Sequence, residues 1–295
     1  MQIFSRTLAP VVISLVLFGG VAYARDILTV EVTPSTVEQG GVCLIIASGS
    51  KPLKTVHGEF DGAEFPLPLV ARDGTFQGLL GIDMNKSPGP HDLRVIGKTT
   101  DGELLIQVHR LRVERVAFST QRLTLPQSMV DLDPETLERV NKESKRMRTL
   151  FKGYREERLW RGGFVRPVEG EVTTPFGVRR ILNDQPRNPH TGVDLRAMEG
   201  TPIRACNDGV VVLVDELFFN GKSVVLDHGF GMYSMYFHLS EARVQEGETV
   251  AKGNVIGLAG STGRASGPHL HWGIRLNGAR VDPLSMMELN DYLQE

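Results

Sequence analysis

Cysteine is almost absent from this sequence: Cys43 and Cys206 are the only two in 295 residues. Neither has the spacing of a thiolate metal site or a Cys-x-x-Cys redox motif. Paired, they would staple two regions of the chain together. The strand-like run around Cys43 favours instead two small buried hydrophobes. Excess charge is lacking as well, with 33 Lys and Arg against 35 Asp and Glu for a net −2 at pH 7. No global basic character recommends nucleic acid as a partner. No His-Glu-x-x-His occurs, so a helix-borne zinc pair with a glutamate base is not indicated. The apolar run at residues 8–18 is short for a membrane span of about 20 residues. What is present is 41% hydrophobic content. That is ample for packed cores and excludes a disordered chain. The length suggests about two domains.

Residues 1–24 read as a secretory signal. Arg6 supplies a weak positive start, residues 8–18 the apolar centre, and Ala22-Tyr23-Ala24 a small-residue cleavage site. Cleavage after Ala24 would leave a periplasmic or secreted protein with no stable membrane span. No cysteine directly follows the apolar centre, so a lipid anchor is not expected.

Residues 25–117 read as an immunoglobulin-like β domain. Leu28, Val30 and Val32 alternate with Thr29 and Glu31, the pattern of a half-buried strand. Further strands are expected at 43–47, 65–70, 76–82, 91–96 and 104–113. Asp61-Gly62, Asp73-Gly74, Pro88-Gly89-Pro90 and Asp101-Gly102 mark turns between them. His57, His91 and His109 share no spacing and read as solvated or packed residues. The module suits a wall or protein partner, which its sequence does not name.

Residues 118–162 read as a linker carrying a helix at 134–152. Asp133 is a natural N-cap, Pro134 fits the first helical position, and Gly153 suits a stop. Leu137, Val140, Met147, Leu150 and Phe151 fall near one face. This is either a solvated connector or a helix docked near a cleft that limits access. Arg161-Gly162-Gly163 reads as a hinge before a second β domain at 163–288. After Asp282-Pro283 a short stretch at 284–295 is expected to be helical and peripheral, its end at 289–295 forming a tail beyond the domain.

The chemistry concentrates in this second domain. In Gly267-Pro268-His269-Leu270-His271-Trp272-Gly273 two histidines lie two apart in an apolar run. On a strand both would face one side, and neutral imidazole is a good zinc ligand. Upstream, Pro189-His190-Thr191-Gly192-Val193-Asp194 sets a histidine and an aspartate on a turn entering a strand. His190, Asp194 and one histidine of the pair make three N/O ligands, with a fourth position open for water. Tyr236-Phe237-His238-Leu239-Ser240 adds another histidine at the end of an apolar run.

These motifs, in this order, resemble the M23 (lysostaphin/LytM-type) zinc metallopeptidases of bacterial cell walls. The likeness runs from about residue 163 to 284 and includes the glycine-rich stretch 253–263. It implies a mainly β protein whose C-terminal domain is a LytM-type antiparallel β fold. It implies one zinc ion per chain, with His190, Asp194 and His271 as ligands. It implies catalytic roles for His238 and His269 beside a zinc-activated water, and peptide bonds of peptidoglycan as the substrate. His228 reads as structural or supporting, and Asp227 and Asp282 as solvated or turn-capping residues. Arg179, Arg180 and Arg187, on a loop before the first ligand, are candidates to pair with carboxylates of stem peptides.

Two other functions compete. An autoinhibited or regulatory M23-like protein would bind the wall and activate other hydrolases, but such members have typically lost metal ligands. A lipoyl or phosphotransfer carrier would explain Glu246-Gly247-Glu248-Thr249-Val250-Ala251-Lys252-Gly253. It would not explain His190 and Asp194, and it works inside the cell.

Overall fold

The computed structural model describes residues 26–293 apart from 71–73, 125–126 and 128–130. The expected export segment at 1–24 lies outside the described residues. The protein is mainly β, as the alternating patterns imply. Residues 28–114 build two sheets. One runs Leu28–Thr33, Val42–Gly49, Thr75–Gly81, Leu69–Val70, all antiparallel. The other runs Thr36–Glu38, Leu104–Glu114, Gly89–Thr99, Leu53–Phe60, Ala63–Leu67, antiparallel except for its first pair. Their facing sides enclose a core that includes Cys43, Ile45, Leu93, Val95 and Leu111.

Strand Val42–Gly49 explains why its sequence is apolar without alternation. Cys43, Ile45 and Ala47 face the sandwich core. Val42, Leu44 and the partly buried Ile46 face the opposite way, into the core of the second domain. A strand covered on both sides reads as a continuous hydrophobic run. The two modules therefore share a seam. Arg280 reaches Asp83 through its backbone N–H, Nε and Nη2 at 2.7–2.9 Å. The Val42 N–H donates to Ser285 and the Asp282 N–H to the Gly40 carbonyl.

The second domain centres on one antiparallel sheet. Its strands run Val172–Thr174, Val193–Arg196, His269–Leu276, Met232–Ala242, Gly221–Gly229, Gly209–Leu217, Thr249–Val250. Trp272, Tyr236, Leu195 and Ile203 pack beneath it with essentially no exposure. Strand Val255–Ala259 pairs with the far end of Met232–Ala242 and with Pro202–Arg204.

The intervening segment is docked. Strand Thr120–Leu123 pairs in parallel with Arg179–Leu182. Helix Pro134–Leu150 stops before the expected 152, and Asp133 accepts the Thr136 N–H as its cap. No residue of the helix is fully buried. Met147, Leu150 and Phe151 lean on the cluster of Tyr233, Met235 and Phe237. Charge holds the rest: Arg146 pairs with Asp215 and Glu246, and Arg139 donates to the Glu216 carbonyl.

Two expectations fail here. Residues 161–163 are no free hinge, because buried Trp160 and Phe164 flank them and the Arg161 N–H donates to Asn207. Nor is the tail peripheral. Met286, Leu289 and Leu293 of the C-terminal segment are buried in the main core. Short amphipathic stretches show little periodicity in sequence, so their burial had no clear signal. Both cysteines are free and fully buried. Among the described residues no helix is long and apolar enough to cross a membrane.

Candidate metal centre

Strand pairing assembles the site. Asp194 on Val193–Arg196 lies directly across from His271 on His269–Leu276. Residues two apart on a strand share a face, so His269 joins them. Phe237 is the next partner of His271 across the sheet, and its ring stacks on the imidazole at 5.4 Å. His190 enters from the preceding turn, where its N–H and carbonyl bind Val178 and Gly177. Gly192 lets that turn press against the strand: a Cβ there would sit 2.4 Å from the Trp272 carbonyl and 2.8 Å from His271 Nε2.

His190 Nε2, Asp194 Oδ1 and His271 Nδ1 lie 2.8–2.9 Å from one another. His190 Nδ1 is 2.9 Å from the Pro175 carbonyl. That contact keeps the proton on Nδ1 and leaves the Nε2 lone pair directed at its two neighbours. One proton serves only one of the three contacts well, whereas a cation serves all three. The donor set thus fits a divalent metal of nitrogen and oxygen preference. Burial alone would raise the Asp194 pKa, but the bonds to His190 and His271 outweigh it and hold the carboxyl far below its usual range. Burial lowers His271 to about 4 against the pull of Asp194. It is therefore neutral at neutral pH.

His238 reaches the same place by an irregular route. Simple alternation would turn it away from Phe237, to the other side of the sheet. Two things re-aim it. The pairing of Met232–Ala242 with Gly221–Gly229 slips between Tyr236 and Leu239, a bulge. His238 itself has φ of 62°. Its N–H donates to the Asn220 carbonyl, and Nδ1 lies 2.8 Å from the Thr262 carbonyl. The ring ends 4.8 Å from His269 and 6.2 Å from His271, centre to centre. Burial brings its pKa down to about 4. His269 Nδ1 is 2.8 Å from the Gly267 carbonyl. In both residues the carbonyl contact puts the proton on Nδ1 and the lone pair on Nε2.

All five residues singled out in the sequence therefore meet. His228 does not. It is fully buried below, bonded to the Asp208 carbonyl and Ser234 and 3.9 Å from Cys206 Sγ. Asp227 binds the Gly229 N–H, and Asp282 caps helix Pro283–Glu288. Of the three loop arginines, Arg180 and Arg187 are cross-strand partners in the hairpin Arg179–Leu182/Gln185–Arg187. Arg180 Nη2 comes within 3.6 Å of Asp194. Arg179 stands across from Thr120 in the parallel pairing. The stacking partner Phe237 gave no separate signal, since an aromatic residue does not mark a metal site in sequence.

The model of peptidase family M23 matches residues 188–283. A DD-carboxypeptidase/endopeptidase, Mpg, of Neisseria meningitidis is 41% identical over 128 residues, which are 43% of this chain and 30% of that protein. The peptidoglycan DD-endopeptidase ShyA of Vibrio cholerae is 33% identical over 145 residues, 49% of this chain and 31% of that one. The matches thus span about a third of these curated relatives. A crystal structure of a candidate M23 peptidase from Pseudomonas aeruginosa aligns with a TM-score of 0.65 and 30% identity, over 84% of this chain and 94% of that one.

Proposed function

Because the chain belongs to peptidase family M23, we propose that it is an exported zinc metalloendopeptidase acting on peptide cross-links or stem peptides of bacterial peptidoglycan. The names of its relatives support bonds between D-configured residues as the subclass. His190, Asp194 and His271 are the residues that would hold one zinc ion. When bound, zinc supplies Lewis acidity toward a carbonyl oxygen and lowers the pKa of water. His238 and His269 provide the acid–base chemistry beside it. Each directs an Nε2 lone pair that can accept a proton, and the protonated ring can then donate to the leaving amine or to a developing oxyanion. Export rests on the segment at residues 1–24, and a periplasmic or secreted location follows from it. The N-terminal module is proposed to contact the wall or a protein partner.

The observation that carries this reading is the convergence of five side chains on one face, with three donor atoms within 2.9 Å of one another. A complete set favours an enzyme over a regulatory member that has lost its ligands. The test is digestion of purified peptidoglycan by the zinc-loaded protein, with and without chelator, followed by separation of the released muropeptides. Chelator-sensitive loss of cross-linked species is expected. Intact cross-links after treatment with zinc-loaded protein would overturn the enzymatic reading in favour of the regulatory one.

A further inference from the structure

We infer that Glu143 and Arg139, on helix Pro134–Leu150, are positioning residues for His238: they hold the turn whose carbonyl fixes the His238 backbone. This rests on the hydrolase reading above, in which His238 supplies acid–base chemistry. It makes the segment between the two modules part of the frame of the site.

The starting point is a sheet edge. Strand Gly209–Leu217 pairs on one side with Gly221–Gly229, but on the other Thr249–Val250 pairs only with Gly209 and Val210. Backbone groups left on such an edge need other partners. Past Val211, side chains take over. The Val214 N–H donates to Glu246 Oε1 at 3.1 Å, and Glu246 pairs in turn with Arg146 of the helix. The Glu216 carbonyl accepts from Arg139 Nη2 at 2.9 Å. The Phe218 N–H donates to Glu143 Oε2 at 2.9 Å. A carbonyl and the N–H two residues further on lie on one edge of a strand. Arg139 and Glu143 therefore offer the donor and the acceptor that a neighbouring strand would offer. The two are joined to each other, Arg139 Nε to Glu143 Oε1 at 2.7 Å, one helical turn apart. The Glu143 side chain is only 19% exposed, so water competes little for these charge-assisted bonds.

The residue gripped in this way begins the turn 218–220 that joins the two strands. The turn is clamped from two directions. The Arg139 guanidinium carbon lies 5.8 Å from the centre of the Phe218 ring, and that of Arg264 lies 4.1 Å from the centre of the Phe219 ring. The Phe219 carbonyl accepts the Arg264 N–H. The third residue, Asn220, gives its carbonyl to the His238 N–H at 2.8 Å. His238 stands at φ of 62°, a conformation that persists only where the surroundings enforce it. The loop at 262–264 holds the turn from one side and the helix from the other. Without the helix the Phe218 N–H and the Glu216 carbonyl would face water, and the Asn220 carbonyl would no longer fix where His238 points. A misplacement of about 1 Å in a reacting group can cost about 100-fold in rate.

The full chain, loaded with zinc, would be assayed on a cross-linked muropeptide dimer as Glu143→Ala, Glu143→Gln, Arg139→Gln and Lys142→Ala, the first three also in a His238→Ala background. Glu143→Ala is expected to lower kcat about 10- to 100-fold, with KM and zinc content at the wild-type level. Glu143→Gln keeps an acceptor for the Phe218 N–H and should recover most of the loss. Lys142→Ala removes an exposed pair with Glu138 on the same helix and should leave kcat unchanged. In the His238→Ala background the loss of Glu143 should cost nothing further, because residues that act as a unit are not additive. Arg139→Gln loosens the carbonyl side of the grip and should lower kcat less, again only when His238 is present. It decides the matter if Glu143→Ala melts below the assay temperature. Full kcat in Glu143→Ala, or an equal loss in both backgrounds, would overturn the positioning role and leave the hydrolase reading intact. Failure of the wild-type protein to cleave either the dimer or peptidoglycan would overturn the underlying reading, and this inference with it.

Discussion

His238 alone among the five site residues has a positive φ, at 62°. A non-glycine residue held there costs about 1–3 kcal/mol and persists only where its surroundings enforce it. The surroundings here are the Asn220 and Thr262 carbonyls, which grip its N–H and Nδ1. A conformation that folding does not favour supports a role in chemistry. His238→Ala is expected to lower kcat by about 10²–10⁴-fold, the usual worth of a general acid or base. Zinc content, measured on the purified variant, should stay near one per chain. A parallel loss of zinc would make His238 a ligand instead. Asp194 answers differently, because its Oδ1 touches His190 and His271, the two histidines of the proposed ligand set. Asp194→Asn should weaken zinc binding, in competition with a chromophoric chelator, by more than the roughly 10–100-fold typical of an outer partner. Retention of zinc at wild-type affinity would remove Asp194 from the ligand set.

At the level of elements, the loop that carries Thr262 and Arg264 is fitted tightly against the turn at 219–221. Gly263 has φ of 71°, and a Cβ there would lie 2.3 Å from the Gly221 nitrogen and 2.7 Å from the Phe219 carbonyl. Gly263→Ala therefore meets backbone on both counts. Stability should fall by about 1–2 kcal/mol from the left-handed conformation alone. The shift of Thr262 should also loosen His238 and lower kcat, so thermal melting and turnover are read together. A variant unchanged in both would mean that the loop yields freely. The helix Pro134–Leu150 offers a second test. Asp133 accepts from the N–H and the hydroxyl of Thr136. Asp133→Ala should cost about 0.5–2 kcal/mol of helix stability. Amide exchange within residues 134–150 would report that loss locally, and unchanged exchange would show that the ion pairs of Arg139 and Arg146 suffice. The helix itself was legible from its cap and its proline. Its docking was not, because an exposed helix held by charge has the same sequence pattern as a free connector.

For the whole molecule, the seam between the modules depends on Asp83 and Arg280. Asp83 is partly buried, which by itself would raise its pKa, but the bonds from Arg280 and Asn85 leave it lowered. A lowered native pKa means stability that is fully present above the unfolded value of about 3.9 and lost as pH falls through the folded value. Asp83→Asn should thus cost about 1.5–3 kcal/mol at neutral pH, in keeping with hydrogen bonds to a charged group. The gap between variant and wild type in urea midpoint should narrow in acid. A gap that is constant with pH would assign the loss to shape rather than charge. The strands that build this seam were visible in sequence, but their second buried face was visible only as an unbroken apolar run.

The sequence by itself determined the mainly β character, the helix start at Asp133 and the two short motifs whose side chains converge on the site: His190 with Asp194, and His269 with His271. Such features depend on spacing along a few residues, where strand periodicity and turn chemistry act directly. Tertiary structure decided the rest. His238 joins the site only because a bulge breaks the alternation that would have turned it away. Thr262 reaches His238 only because two distant segments of the chain close on the same site. The C-terminal tail enters the core because Met286, Leu289 and Leu293 find apolar partners from segments far away in the chain. Each of these depends on pairing between segments far apart in the chain, and no local pattern encodes which partner a strand or loop will find.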